Sequence, residues 1–131
     1  MSVELVRKRI GTIEESYEFF LAYAAQGITD EGASRLGGEV KRFLERTEEA
    51  LTGLADAMTS LVDSEGLEPP EPYRDMIEVL RRDADATRAV VRLVLAQDGI
   101  SSQLIDNLNA SIHVRALLTD LFLLDEVLGR T

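Results

Sequence analysis

Apolar residues recur every three or four positions along most of the chain, a spacing that places them on one face of an α-helix. The pattern is unbroken through Val3, Val6 and Ile10 near the start, and through Ile77 and Leu80 further on. No segment alternates apolar and polar residues with the period of two that a strand requires. The sequence therefore predicts an all-α fold, with helices over about residues 3–26, 30–64, 72–97 and 101–129.

Glycine, proline and capping residues mark the ends of these segments. Gly27 and Gly99 stand where a left-handed residue commonly ends a helix, and Ser101 is a typical N-cap. One glycine and three prolines interrupt residues 64–72, which no helix interior tolerates. These breaks predict two helical hairpins joined by an acidic loop. We expect a single domain over residues 1–131, folded as a four-helix antiparallel bundle with up-down-up-down topology.

Composition narrows the function classes. The 131 residues carry a net charge of -10, which argues against a nucleic-acid partner. The chain has no cysteine, which excludes disulfides, thiolate metal sites and cysteine catalysis. No apolar run has the length of a membrane span, and the first residues do not form a signal peptide, so a cytoplasmic protein is expected. Arginine outnumbers lysine 12 to 2, a bias typical of high-GC bacterial coding.

Motifs for catalysis are missing from the sequence. A di-iron bundle requires Glu-x-x-His, but the single histidine, His113, follows Ala110 at that spacing. Gly37-Gly38-Glu39 lacks the lysine and the spacing of a phosphate-binding loop. We therefore predict no enzymatic activity, no metal and no cofactor. His113 is interpreted as paired on a helix flank or at an interface, and Gly37-Gly38 as a kink, a late helix start or a close approach to another backbone or a ligand.

The fourth predicted helix is apolar on two nearly opposite sides. Ile105, Leu108, Ile112 and Leu123 lie on the first face, and a further set of apolar residues lies on the second. A helix at the edge of a bundle has only one face to bury, so the second face predicts a partner, unless the helix is central and covered on both sides. We assign the predicted oligomer interface to five residues: Val114, Leu117, Leu121, Leu124 and Leu128.

The pattern favours a non-enzymatic homo-oligomer, most simply a homodimer, acting as a protein interaction, assembly or regulatory module with room for a further protein partner. The alternative is a carrier or sensor of a small apolar ligand, because bundles commonly hold ligands between their helices. For that alternative the candidate cleft is a set of aromatic residues: Tyr17, Phe20, Tyr23 and Phe43.

Overall fold

The computed structural model describes residues 3–29 and 35–129, and within these ranges it contains six α-helices and no strand. The helices are α1 (Val3–Ala24), α2 (Arg35–Leu51), α3 (Leu54–Glu65), α4 (Pro70–Leu95), α5 (Ser102–Ala110) and α6 (Ile112–Leu128). One continuous core of buried apolar side chains draws on all six. The predicted start of the second helix at residue 30 lies outside the described residues.

The all-α prediction is confirmed, but the prediction of four continuous helices is wrong. The predicted second helix is divided into α2 and α3, and the predicted fourth helix into α5 and α6. The first and third keep their predicted extent within a few residues. At the ends of helices, Gly27 has the expected left-handed conformation and the Ser101 hydroxyl caps α5, whereas Gly99 is not left-handed.

The first unexpected break is at Gly53, whose φ of 77° is left-handed and ends the α-helical path of α2. The Arg9 guanidinium covers this end, since its Nη1 donates to the carbonyl oxygens of Ala50 at 3.1 Å and Thr52 at 2.6 Å. These carbonyls have no partner within the helix once the ladder stops. Arg9 of α1 thus caps the C-terminal end of α2.

The second break is at Ser111, which is in an extended conformation with ψ of 131°. Its hydroxyl accepts a hydrogen bond from the His113 amide at 3.2 Å and so caps the start of α6. The Thr87 hydroxyl of α4 donates to the His113 carbonyl at 3.0 Å, which ties the first turn of α6 to α4. The break therefore lies where α6 begins to pack on α4.

Neighbouring helices run antiparallel. Arg9 of α1 reaches Ala50 at the end of α2, while Phe19, further along α1, stacks on Phe43, earlier in α2. Along α4, Arg81 pairs with Asp56 and Arg74 with Asp63, whereas Arg92 pairs with Glu48 of α2. The long helix α4 thus supports both α2 and α3 and bridges the break between them.

The turn after α1 is joined to the start of α5. The Ser102 amide donates to the Ile28 carbonyl at 2.8 Å, and the Ile28 amide donates to the Ser102 hydroxyl at 2.8 Å. The same hydroxyl donates to the Tyr23 carbonyl at 2.7 Å, and the Tyr23 hydroxyl donates to the Ile100 carbonyl at 2.6 Å. These bonds satisfy polar groups at two helix ends and fix α5 against α1.

Gly53→Ala is expected to lower the free energy of unfolding by about 1–2 kcal/mol, because a side chain disfavours the left-handed conformation. Gly38→Ala is the matched control: Gly38 is exposed within α2, with open space where a Cβ would stand. That substitution should be neutral or stabilise by up to about 1 kcal/mol, since alanine favours helix more than glycine does. Urea denaturation followed by circular dichroism measures both, and equal effects would contradict the expectation.

Candidate interaction surface

The five residues predicted to form an oligomer interface belong instead to the core of the chain. Val114, Leu117, Leu121, Leu124 and Leu128 are each at most 6% exposed in the single chain. They pack inward on a helix that contacts α4, α5 and α1. The assignment of the interface to this face is therefore wrong, because no partner can reach side chains that the chain itself covers.

The break at Ser111 explains why the sequence was misinterpreted. Ile105 and Val114 are nine residues apart, so in one continuous helix they would lie on opposite sides, about 900° around the axis. In the structure both are buried, because α5 and α6 meet the core separately. The first apolar face, which carries Ile105, Leu108, Ile112 and Leu123, is thus a core face in α5 and an exposed face in α6.

The four aromatic residues of the predicted ligand cleft do not form one cleft. Phe20 and Tyr23 are core residues at 2% exposure, and the cavity beside Tyr17 and Phe20 has a volume of about 20 Å³. This is far below the roughly 300 Å³ of a small-molecule site. Phe43 stacks on Phe19, with ring centroids 4.2 Å apart, and borders an open groove elsewhere. These positions give no support to a buried ligand.

An apolar surface remains exposed where α4 and α6 lie side by side. Leu93 of α4 is 67% exposed, and Ile112 and Leu123 of α6 are 75% and 53% exposed. Half-buried apolar residues occupy the strip between them: Met76, Val79, Ala86 and Val90 on α4, and Ala116 and Val127 on α6. We call this strip, with its three exposed residues, the α4/α6 face. It consists of apolar residues of α4 and α6 that lie beside the fully buried face of each helix.

One end of the α4/α6 face forms a groove of about 410 Å³ with almost entirely apolar walls. Pro72, Tyr73 and Met76 border it from α4, and Leu123 and Val127 from α6. The prolines at the start of α4 have no backbone N–H to present to solvent, which keeps this end apolar. The groove could accept a protruding apolar side chain of another molecule.

Two carboxyl groups lie between α4 and α6 along the same face. Asp120 is only 7% exposed, and its Oδ2 receives no hydrogen bond from any N–H or hydroxyl group among the described residues. Burial, a hydrogen bond with Asp83 and the charge of Asp83 raise the pKa of Asp120 to about 7. Near pH 7 the pair therefore still binds a proton for about half of the time, whereas an ordinary pair of aspartates would have released it.

Sequence reasoning missed this pair. Asp120 directly precedes Leu121, and Asp83 directly precedes Ala84, and both of these neighbours are buried. The available signal in the sequence was an aspartate next to the apolar face of each helix, which indicates a carboxyl group at the edge of the core. The register of α4 against α6 brings Asp83 and Asp120 together, and this register cannot be read from the spacing of residues within either helix.

No contact of His113 or Gly38 in the structure points to a ligand. The His113 side chain is exposed at the start of α6, and only its backbone makes the bonds to Ser111 and Thr87 described above. Gly38 has no neighbour close enough to require glycine. Among residues 3–29 and 35–129, no cluster of three or more metal-ligating side chains is present.

None of the helices in the described ranges has the length and apolar character needed to cross a membrane. Comparison with known proteins finds no matching family model, no similar curated protein and no similar solved structure. The α4/α6 face, with its apolar groove and its carboxyl pair, is therefore the candidate site on its geometry alone.

Proposed function

We propose that the protein is a non-enzymatic homodimer that acts as a protein interaction, assembly or regulatory module, and that two copies meet through the α4/α6 face. The observation that carries the proposal is the exposure of Leu93, Ile112 and Leu123 beside the apolar groove. Burying a leucine or isoleucine side chain contributes about 1.5–3 kcal/mol. Three such residues on each copy are a substantial source of association energy.

The size of the face fits a dimer contact. From Pro72 to Leu93, α4 extends roughly 30 Å, and two helices side by side present a width of roughly 20 Å. The flat area is thus roughly 600 Å², before the relief of the side chains is included. A stable interface buries about 800 Å² per partner, so the α4/α6 face is of the required order.

The charges around the face also favour a second copy. The chain as a whole carries a net charge of -10, and copies repel one another over most of their surface. Beside the α4/α6 face, however, exposed residues of both signs occur, among them Asp75, Arg82, Arg115 and Glu126. A symmetric contact here brings together surfaces of mixed charge, which repel less than two uniformly acidic surfaces would.

In this proposal the six helices act as four antiparallel rods, namely α1, α2 with α3, α4, and α5 with α6. The antiparallel pairing of α1 with α2, and of α4 with α3, supports this description. A cytoplasmic, bacterial setting is part of the same proposal. The bacterial part rests on the preference of the sequence for arginine over lysine.

Replacement of Ile112 and Leu123 by aspartate is expected to give a folded monomer, whereas the wild type sediments as a dimer at micromolar concentration. Both side chains are more than half exposed, so the fold does not depend on them, while two carboxylates would be costly to bury in a contact. Analytical ultracentrifugation measures the mass, and circular dichroism confirms the fold.

Phe122→Asp is the matched control for this experiment. Phe122 is also exposed, at 56%, but lies about 100° around α6 from Leu123 and outside the α4/α6 face. The control should remain dimeric. A wild type that stays monomeric at tens of micromolar at pH 6 contradicts the dimer, and a control that dissociates as completely as the double variant contradicts the choice of face.

A further inference from the structure

The most unusual feature of the α4/α6 face is a pair of carboxyl groups, Asp83 and Asp120, with which no basic side chain of residues 3–29 and 35–129 forms an ion pair. On α6, Asp120 comes four residues after Ala116 and three before Leu123, so the three residues share one side of the helix. Asp83 meets it from α4 and is half-buried. Two neighbouring carboxyl groups favour a proton between them, because two carboxylates repel.

The charged groups nearby do not replace that proton. On α4, Arg82 is exposed, and Arg88 lies five residues from Asp83, about 140° around the helix. Arg115 is displaced from Asp120 by the same angle on α6.

The single charged residue of α5, Asp106, is exposed, and α1 directs Arg7 and Glu14 towards Asp125 instead. His113 shares a side of α6 with Asp120 but lies seven residues away, about 10 Å along the axis.

We propose that the Asp83–Asp120 pair makes the α4/α6 contact depend on a proton, so that two copies associate while the pair is protonated and separate when the pair is fully ionised. This inference rests on the proposed dimer and assigns its regulation. A second copy would cover the exposed part of Asp83 and remove the water that stabilises its charge. Association therefore favours the protonated pair, and by linkage a higher pH favours the separate copies.

The pH range of this control is set by the chain itself. In the single copy, burial and the neighbouring Asp83 already raise the pKa of Asp120 to about 7. Additional burial in the dimer raises it further, since burial disfavours the charged form of a carboxyl group. Loss of the proton between pH 6 and pH 8 is thus expected to weaken the dimer.

The test is the dissociation constant of the dimer at pH 6 and pH 8, measured by analytical ultracentrifugation at constant ionic strength. For the wild type we expect the constant to rise roughly tenfold or more at pH 8, the factor that one unit of pKa difference between monomer and dimer produces. Asp120→Asn should dimerise equally at both pH values, because an amide keeps the hydrogen bond without titrating. Asp83→Asn should also reduce the difference, and it serves as the second variant if Asp120→Asn does not fold.

Two controls isolate the pair from other titrating groups. His113→Gln removes the one side chain type that ordinarily changes charge in this range, and Asp125→Asn removes an exposed carboxylate of α6 outside the face. Both should keep the wild-type difference between pH 6 and pH 8. A dimer with the same dissociation constant at both pH values overturns the proton dependence and leaves the dimer intact. A protein that is folded and monomeric at pH 6 overturns the dimer itself, and with it this inference.

Discussion

Leu121→Asp is expected to unfold the protein at neutral pH, although the sequence alone suggested that this residue could face a partner. Leu121 is fully buried. Losing a buried leucine costs about 2–5 kcal/mol, and an unpaired carboxylate in the same place adds several more. The sum is comparable to the total stability of a domain of this size, which is about 5–15 kcal/mol. Far-UV circular dichroism should show loss of helix, and size-exclusion chromatography an expanded or aggregated chain.

A milder substitution at the same position allows the loss of stability to be measured. Leu121→Ala should leave a folded protein that is less stable by about 2–5 kcal/mol in urea denaturation. Phe122→Asp, the next position along the same helix and outside the α4/α6 face, is the control and should change stability by less than about 0.5 kcal/mol, since Phe122 is 56% exposed. A soluble, helical Leu121→Asp monomer would show that this side of α6 does not belong to the core.

The core could be predicted from the sequence wherever a helix continues without a break. In α1 and α4 the apolar spacing predicted the buried residues, such as Val6, Ile10, Ile77 and Leu80, because one axis and one period describe the whole element. The same reasoning grouped the buried residues of α6 on one face but assigned that face to a partner. It failed on where that set points, since the direction of a face depends on the neighbouring helices.

The two breaks show what periodicity alone misses. Gly53 was a visible signal, because glycine is the usual residue for a left-handed turn within a helical pattern. Ser111 gave a weaker one, since serine occurs in helices as well as at their ends. Its bond to the His113 amide, and the bond from Thr87 to the carbonyl of His113, form only when α6 packs on α4. A tertiary contact therefore decides a local boundary.

The unfolding free energy of the wild type is expected to fall as the pH rises from about 5 to 8, and Asp120 is the cause. The carboxyl group is nearly buried, and its pKa is raised from an ordinary value of 3.8 to about 7 in the folded chain. Between these two pH values the folded state holds a proton that the unfolded state has released. Folding is therefore linked to proton uptake, and its contribution to stability is complete below pH 4 and lost as the pH passes 7.

The size of the effect follows from the same shift. Each unit of pKa difference corresponds to about 1.4 kcal/mol, so the loss across this range amounts to a few kcal/mol at most, reduced by the sharing of the proton with Asp83. Asp120→Asn should abolish most of this slope and be the more stable protein at pH 8, because an amide carries no charge to bury. Urea denaturation of both proteins at pH 5.5, 7 and 8, well below the dimer dissociation constant, measures the slopes.

Asp75→Asn is the matched control, since Asp75 is an exposed aspartate of α4 and its loss should leave the wild-type slope unchanged. Because these measurements are made on the monomer, they separate the proton held within one chain from the effect of a second copy. A wild-type stability that is flat or rises from pH 5.5 to 8 would mean that Asp120 is ionised in the folded chain. The carboxyl pair could then lend no proton dependence to the α4/α6 contact, whatever the oligomeric state.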